Sequence, residues 1–247
     1  MILYGRNTVR EAIRGPRSVM RIWATKNALR EPWLQGFCDR VGSSAVTAAA
    51  QAEVQRRCGS AEHQGVCAEV EAFRYSAIEP VLATPEPLIV ALDQVQDPQN
   101  LGAICRTAEC AGVSAVVIPE RRSAQVTAAV CKASAGAVEH LQVARVRNLA
   151  DFLRDARTAG VWSYGGDADA PLGYDAVDYA GPLVLVLGSE GRGLRPRVAA
   201  GCDALVAVPV RGATQSLSVS AAAAVLLYAA VRARAPAPTR LRSRPQA

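Results

Sequence analysis

Residues 208–228 read VPVRGATQSLSVSAAAAVLLY, and this stretch joins a predicted strand to a predicted helix. The apolar run 204–208 predicts a buried strand, and the alanine-rich segment that begins near Ser216 or Ser218 predicts a long helix. A loop punctuated by proline and glycine lies between them. The serines at 216, 218 and 220 exceed what one helix cap needs, since a single side-chain oxygen satisfies a free N–H. The stretch is therefore either an over-supplied cap or a polar ligand site at a helix start.

The same order of strand, loop and helix repeats upstream of this stretch. Apolar runs without polar alternation predict strands that are buried on both faces, and amphipathic segments that end at glycine predict the helices between them. Asn100 and Asn148 are the expected N-caps of two of these helices. The predicted strands are 88–92, 113–118, 141–146, 161–164, 183–187 and 205–208, and helices are predicted at 101–111, at about 124–135 and after Asn148. This alternation predicts an α/β domain with parallel strands joined by crossover helices.

Residues 1–74 predict a separate, smaller α/β unit. The sequence Thr8-Val9-Arg10-Glu11 has the pattern of a capping box that opens a short helix. Further strands are predicted at 19–24, 46 and 65–70, and helices at 33–41 and 48–57. Three prolines in 75–87 predict a linker, 88–234 forms the second domain, and the Pro- and Arg-rich residues 235–247 predict a disordered basic tail.

Composition narrows the class of protein. The chain has 247 residues, of which 50% are hydrophobic and 20% charged, as is typical of a soluble globular protein. No apolar run approaches the roughly 20 residues that a bilayer span needs, and the start lacks the pattern of a signal peptide. We therefore expect a cytoplasmic protein without a membrane partner. The net charge of +6 comes mainly from arginine, which suits phosphate recognition.

Cysteine usage argues against a disulfide framework or a metal site. The chain has seven cysteines, none in a C-x-x-C pair, and only two histidines. Cys105 and Cys110 lie among apolar residues, where cysteine acts as a small hydrophobic side chain. We expect no bound metal.

Three loops follow predicted strands and carry the candidate chemistry, because parallel sheets bind ligands at the carboxyl ends of their strands. The first, 93–106, contains Asn100 and Arg106, which lie roughly 9 Å apart along a helix axis. The second, 187–194, reads LGSEGRGL and contains Glu190. Its G-x-x-G-x-G spacing differs from the dinucleotide fingerprint, and no Walker motif occurs. The third is the stretch 208–220.

Together these loops resemble a known family. PQNLGAICR at 98–106, LGSEGRGL at 187–194 and VPVRGATQSLSVS at 208–220 resemble, in this order, the motifs of the SpoU (TrmH-like) branch of the SPOUT RNA methyltransferases. YGRNTVREAIR at 4–14 and HQGV at 63–66 are similar to the two ends of that branch's small substrate-binding domain. RSAQ at 122–125 and AGAVEH at 135–140 most resemble its guanosine-2′-O-methyltransferases of 23S rRNA.

The resemblance implies a fold and an activity. The fold is a small N-terminal α/β substrate-binding domain plus a parallel-sheet α/β catalytic domain with a C-terminal trefoil knot. The activity is 2′-O-methylation of a guanosine ribose in large-subunit ribosomal RNA, with S-adenosyl-L-methionine as methyl donor. A homodimer would build the sites across its interface. The implied site residues are Asn100, Arg106, Glu190 and Ser218 around the ribose, Gly188, Val208 and Leu217 at the cofactor, and Arg6, Asn7 and His63 at the RNA.

The side-chain chemistry of Arg106 and Ser218 limits the roles that these two implied catalytic residues can have. A guanidinium with a pKa above about 12 is a poor base, so Arg106 is expected to position the substrate or stabilise developing charge. The proton acceptor is left open. Ser218 stands where the family usually has Asn, and a hydroxyl cannot reproduce both functions of an amide.

Three other interpretations stay open. The chain could methylate ribose in tRNA, as relatives in the same branch do. It could be a non-catalytic RNA-binding relative, for which Ser218 is the one argument. It could also be an α/β enzyme with a glycine-rich ligand loop and no RNA substrate.

Overall fold

Two β-sheets organise the chain, and the computed structural model describes residues 1–213 and 216–235. The first sheet has four strands in the order β1-β4-β2-β3. Strand β4 is antiparallel to both of its neighbours, and β2 is parallel to β3. The elements of this unit are β1 (Ile2–Tyr4), α1 (Arg6–Arg14), β2 (Val19–Ala24), α2 (Pro32–Val41), β3 (Val46–Ala48), α3 (Gln51–Cys58) and β4 (Val66–Val70).

The predicted capping box in this unit is wrong. Helix α1 begins at Arg6, and its N-cap is Gly5 without a side-chain hydrogen bond. Gly5 has a φ of 94°, a conformation that glycine adopts without strain, so the turn comes earlier than the pattern indicates. Thr8 is buried instead, and its hydroxyl donates to the Cys131 carbonyl at 3.5 Å.

The predicted linker packs along the second sheet. It contains helix α4 (Glu79–Leu82), and Ile78 and Val81 are buried in the core of that sheet. The Ser76 N–H donates to the Val143 carbonyl at 2.9 Å, and the Tyr75 hydroxyl accepts from the Val126 N–H at 2.9 Å. These contacts fix the segment, so it is not a free tether, while the domain limits stay a prediction.

The second sheet has seven strands in the order β7-β6-β5-β10-β8-β11-β9, and all of its strand pairs are parallel. Strand β5 is buried along its whole length and pairs with β10 in register from Leu88↔Leu183 to Asp93↔Gly188. The predicted α/β class with a parallel sheet is confirmed. Its elements are β5 (Leu88–Asp93), α5 (Pro98–Cys110), β6 (Ala115–Pro119), α6 (Ala128–Ala133), β7 (Val143–Val146), α7 (Leu149–Thr158), β8 (Trp162–Gly166), β9 (Leu172–Gly173), β10 (Leu183–Gly188), α8 (Pro196–Ala199), β11 (Ala204–Ala207) and α9 (Val219–Arg234).

Two helix starts in this sheet's layer differ from the prediction. Helix α5 begins at Pro98, and its N-cap is Asp97, whose Oδ1 accepts from the Gln99 N–H at 2.9 Å. Asn100 is therefore inside the first turn and is not the cap. Helix α6 is shorter than the predicted 124–135, because the Ala124 N–H donates to the Val95 carbonyl at 2.8 Å and holds the preceding segment as a loop.

Helix α9 packs against the seven-stranded sheet beside α5. Its buried face, which includes Ala223, Leu226, Leu227 and Ala230, belongs to the same core as α5. Residues 214, 215 and 236–247, including nearly all of the predicted basic tail, lie outside the described residues. The passage of the chain through a knot stays a prediction. In 1–213 and 216–235, no helix is both long and apolar enough to cross a membrane.

The cysteine predictions are only partly confirmed. Cys105 is fully buried, and burial raises the pKa of its thiol to about 12. Cys110, which was also expected to act as a small hydrophobic side chain, is exposed in the last turn of α5. Cys105 therefore contributes to packing and is a poor nucleophile at neutral pH.

Candidate functional site

The loops after β5 and β10 meet the start of α9 at the carboxyl edge of the second sheet. Strands β5 and β10 are neighbours, and they end together at Asp93 and Gly188. The segments that follow them are therefore adjacent, although they are far apart in sequence. The first predicted loop and the second predicted loop are thus brought to one place by strand order.

A chain of hydrogen bonds connects three of the predicted residues. The Asn100 Nδ2 donates to Glu190 Oε1 at 2.8 Å, and the Ser220 hydroxyl donates to Asn100 Oδ1 at 2.9 Å. Ser218 Oγ lies 3.2 Å from Ser220 Oγ. Both ends of the Asn100 amide are therefore engaged, which fixes its orientation. We call Asn100, Glu190, Ser218 and Ser220 the polar cluster.

The polar cluster borders a cavity of about 420 Å³, here called the first cavity. Polar side chains dominate its lining, and Glu190 and Arg192 bring charges of both signs. Its walls are Gln94, Val95, Gln96, Asp97, Asn100, Ser189, Glu190, Arg192 and Val219. A polar molecule with hydroxyl groups, such as a sugar, fits this lining better than an apolar ligand does.

The glycine-rich loop closes on itself. Ser189 and Gly193 exchange backbone hydrogen bonds of 3.1 and 2.9 Å, and Gly191 and Gly193 have φ angles of 77° and 63°. A Cβ at Gly188 would lie 2.1 Å from the Gly193 carbonyl carbon. Gly188 is therefore required for the loop to close on itself. The sequence had predicted a different role for it, contact with the cofactor. The closed loop holds Glu190 towards Asn100.

Two of the three predicted cofactor residues, Val208 and Leu217, lie in the third loop, and Gly188 lies in the second. Val208 follows β11 and is partly buried, and Leu217 is 42% exposed just before α9. Val210, which the sequence did not single out, is also an exposed apolar side chain. Apolar side chains that solvent reaches at the edge of a sheet are candidates for contact with a flat organic ligand.

Ser218 has a structural role that the sequence left as an alternative. It is the N-cap of α9, and its Oγ accepts from the Ala221 N–H at 3.2 Å. Two of the serines therefore have different roles. Ser218 caps the helix, and Ser220 donates a hydrogen bond to Asn100.

Arg106 is separate from the polar cluster in a single chain. It is exposed on α5 and does not line the first cavity. Across 1–213 and 216–235 it forms no ion pair or side-chain hydrogen bond. Its guanidinium is therefore not engaged by any residue of these described ranges.

The three predicted RNA-binding residues differ in accessibility. Arg6 is exposed and pairs with Glu31 at 2.5 Å, and Asn7 is exposed next to it. His63 is fully buried, its Nδ1 accepts from the Gly65 N–H at 3.0 Å, and burial, with a smaller contribution from Lys132, lowers its pKa. In this arrangement the His63 ring has no surface with which to contact RNA.

Sequence reasoning missed Asp97, Arg192 and Ser220 as members of the site. The Asp-Pro pair at 97–98 was the available signal for Asp97, because Asp caps helices and Pro favours their first position. Arg192 and Ser220 become neighbours of Asn100 only through strand order. The described part of the chain holds no group of three His, Cys, Asp or Glu side chains placed to bind a metal ion.

Comparison with known families agrees with this geometry. Residues 87–228 match the SpoU rRNA Methylase family, and residues 2–76 match the family described as RNA 2′-O ribose methyltransferase substrate binding. The putative TrmH family tRNA/rRNA methyltransferase YacO of Bacillus subtilis is 36% identical over 224 residues, which cover 87% of this chain and 89% of YacO.

Solved structures have the same fold. The AdoMet-bound rRNA methyltransferase from Sinorhizobium meliloti aligns with a TM-score of 0.78 and 27% identity, over 94% of this chain and 86% of its own. The SpoU methyltransferase AviRb from Streptomyces viridochromogenes, in complex with AdoMet, aligns with a TM-score of 0.78 over 94% of this chain and 89% of its own. At 23% identity AviRb supports the fold alone. The resemblance predicted from the three loops is confirmed: the chain belongs to the SpoU rRNA methylase family of RNA methyltransferases.

Proposed function

We propose that the protein transfers a methyl group from S-adenosyl-L-methionine to the 2′-hydroxyl of a guanosine ribose in 23S rRNA. The observation that carries this proposal is the polar cluster, in which Glu190 and Ser220 fix the Asn100 amide beside the first cavity. The cavity has the polar lining that a ribose needs. A cytoplasmic location would follow from this substrate.

The residues around the third loop fit the methyl donor. Exposed Leu217 and Val210 and half-buried Val208 offer apolar contact to an adenine ring. Gly188 contributes by letting the loop close on itself, and its backbone ends β10 at the same edge of the sheet. When bound, S-adenosyl-L-methionine supplies a methyl group that is already activated by its sulfonium charge. The protein then has to align the ribose oxygen with that methyl group and accept a proton.

Each member of the polar cluster has a distinct task in this proposal. Asn100 positions the ribose, because its amide cannot rotate while both of its ends are bonded. Glu190 has a second carboxylate oxygen that Asn100 does not engage, and we assign to it the role of accepting the hydroxyl proton. Ser218 fixes the start of α9, so its replacement of the family Asn is compatible with turnover.

A second copy of the chain would complete the site. Arg106 lies outside the first cavity of its own chain, and Tyr228 exposes 52% of its surface on α9, which packs on α5. Tyrosine is enriched at protein interfaces, so we assign this face of α9 to the dimer contact. In this proposal a homodimer places Arg106 of one chain near the ribose bound by the other. Arg106 there stabilises the developing alkoxide or a neighbouring phosphate.

The proposal is tested by mixing two inactive variants. We expect Asn100→Ala and Arg106→Ala each to lower methyl transfer to an unmodified 23S rRNA transcript by about 10²-fold or more, because alignment of the reacting atoms is lost. Co-refolding the two variants should restore part of the activity, since mixed dimers hold one site with both residues intact. Methyl transfer is measured with a tritiated donor, and the product nucleoside is identified by mass spectrometry.

Two controls make the result decisive. Both variants should bind S-adenosyl-L-methionine as the wild type does in calorimetry, which excludes misfolding. Full activity in Arg106→Ala would remove Arg106 from the reaction, and a mixture without recovery would argue against a site shared between chains.

A tRNA substrate is the second candidate, because the similar Bacillus protein is named as a tRNA/rRNA methyltransferase. A tRNA transcript assayed in parallel with 23S rRNA distinguishes the two. Methylation of tRNA alone would replace the rRNA assignment and leave the ribose chemistry in place.

A further inference from the structure

A second cavity, of about 300 Å³, opens at the same edge of the seven-stranded sheet. It is lined by Arg147, Asn148, Ala150, Arg195, Arg197 and Val198. Arg147 and Asn148 directly follow β7, and Arg195 ends the segment that follows β10. Three of its six lining residues are arginines, and none is acidic. We call this the arginine cavity.

The Arg195 side chain is held in place by a buried carboxylate. Asp93, at the end of β5, is fully buried, and its Oδ1 accepts from Arg195 Nε at 2.8 Å and lies 2.7 Å from Nη2. Its Oδ2 accepts from the Arg195 N–H at 2.9 Å. The Arg195 side chain therefore lines the cavity in a fixed orientation, and Asp93 balances its charge.

The other two arginines bring charge that is not balanced. Arg147 and Arg197 are exposed, and neither forms an ion pair with any residue in 1–213 or 216–235. The acid nearest to Arg147 in sequence, Asp151, is engaged by Arg154 at 3.0 Å. The acid nearest to Arg197, Asp203, is engaged by Arg157 at 2.8 Å. The cap of α7 is also already satisfied, because Asn148 Oδ1 accepts from the Ala150 N–H at 3.0 Å. Two free guanidinium groups, and not a helix end, therefore define the cavity's charge.

One segment of the chain contributes lining residues to both the arginine cavity and the first cavity. Arg192 lines the first cavity and Arg195 lines the arginine cavity, and both belong to the segment between β10 and α8. Asp93 precedes the residues Gln94–Asp97 of the first cavity and anchors Arg195 of the other. A ligand long enough to extend past this segment would occupy both cavities, and a polynucleotide has that length.

We propose that the arginine cavity binds a backbone phosphate of the RNA whose ribose occupies the first cavity. This inference rests on the proposed function for its ligand. Arginine presents planar N–H donors that match phosphate oxygens, and phosphate contacts fix the register of an RNA without reading its sequence. The cavity therefore sets which nucleotide along the strand reaches the methyl donor.

Arginine substitutions at the cavity test the proposal. Arg147→Ala, Arg197→Ala and the double variant are compared with Arg232→Ala, which removes the same charge elsewhere. Arg232 lies near the opposite end of the sheet, because its neighbour Arg234 donates to the carbonyls of Pro87 and Gly181, which precede β5 and β10. Affinity for a fluorescent 23S rRNA fragment is measured at several salt concentrations without methyl donor.

The double variant should bind the RNA roughly tenfold more weakly, and the slope of log K against log salt should fall by about one phosphate contact. Arg232→Ala should keep the wild-type affinity and slope. Binding of S-adenosyl-L-methionine should be equal in the wild type and all of these variants. In turnover, the double variant should also yield methylation at neighbouring nucleotides, because the register is no longer fixed.

Competition with inorganic phosphate separates RNA from a free anion as the ligand. Phosphate at millimolar concentration that displaces no RNA and gives no heat of binding supports a site for polymer phosphate. A phosphate-binding signal that the double variant lacks, together with unchanged RNA affinity, would overturn the RNA assignment. Wild-type protein that binds and methylates RNA, with a double variant that does the same, would overturn this inference and leave the proposed function intact. Wild-type protein that binds no RNA would overturn both.

Discussion

His63 illustrates how far a residue's type can mislead about its position. The motif placed it at the RNA, yet the ring is fully buried and its Nδ1 accepts from the Gly65 N–H. Within the described chain, its Nε2 has no hydrogen-bond partner. A buried histidine of this kind is held in the neutral form, because burial disfavours the charge and a proton on Nδ1 would break the bond to Gly65.

The depressed pKa of His63 predicts a pH dependence of stability. Its folded pKa lies below the ordinary 6.5, so the unfolded chain binds the proton more readily. The stabilisation is complete above pH 6.5 and is lost as pH falls through the folded pKa. We expect His63→Gln to flatten this loss, measured as the free energy of unfolding in urea between pH 7.5 and about 5. A pH dependence of stability in His63→Gln equal to that of the wild type would contradict the assignment to His63.

At the scale of elements, the closed loop 188–193 determines where Glu190 lies. The loop is fastened by paired hydrogen bonds between Ser189 and Gly193, and it has no room for a side chain at its first residue. Glu190 is therefore positioned by backbone geometry, and only then by its bond to Asn100.

Gly188→Ala should open this loop. The new Cβ would lie 2.1 Å from the Gly193 carbonyl carbon and 2.4 Å from the Leu194 nitrogen, so the backbone must shift. We expect the melting temperature to fall by roughly 4–8 °C and methyl transfer to be nearly lost as Glu190 moves from Asn100. Gly212→Ala is the stability control, because within the described residues a Cβ at Gly212 would meet no atom closer than 4 Å outside its chain neighbours, and this glycine lacks a positive φ. Equal melting temperatures for the two variants would show that the loop adapts.

The elements that the sequence predicted well are those that local pattern determines. Strands such as 88–92 and 183–187 were predicted because residues buried on both faces must be apolar throughout. Helix α6 was predicted too long, because its alanines favour a helix while Val95 holds the preceding residues as a loop. The contact between Asn100 and Glu190 could not be read from either segment, since only the pairing of β5 with β10 creates it. Residue types in the site were predictable, and their partners were not.

At the scale of the molecule, a buried ion pair joins the two sheets' units. Arg17, between α1 and β2, pairs with Glu139, which follows α6, and the Arg17 Nε donates to Glu139 Oε2 at 2.8 Å. Both side chains are almost fully buried, and Arg17 also donates to the Glu71 carbonyl at 3.2 Å. Burial opposes the Arg17 charge, yet the bonds to Glu139 outweigh it and raise the pKa of Arg17. The substrate-binding unit is thereby fixed to the catalytic sheet.

Removing one partner of this ion pair should lower the free energy of unfolding more than replacing both partners with apolar residues. Glu139→Leu leaves the Arg17 charge buried and unpaired, so we expect a loss of about 3–5 kcal/mol in the free energy of unfolding. The double variant Arg17→Met with Glu139→Leu should recover most of that loss, because no charge stays buried. Arg154→Ala, which breaks an exposed pair with Asp151, is the control and should cost less than about 1 kcal/mol. Equal losses in the single and double Glu139 variants would show that the pair's charge is not the cause.

The polar cluster also has a consequence for the order in which the enzyme is made. Asn100 is synthesised well before Glu190 and Ser220, from which 90 and 120 positions separate it. During vectorial synthesis the N-terminal unit and the first strands of the second sheet can fold while α9 has not yet emerged. A nascent chain at that stage lacks Ser220, the last residue that orients Asn100. In the proposed function, methyl transfer requires Ser220 to orient Asn100, so fragments truncated before α9 should show no methyl transfer.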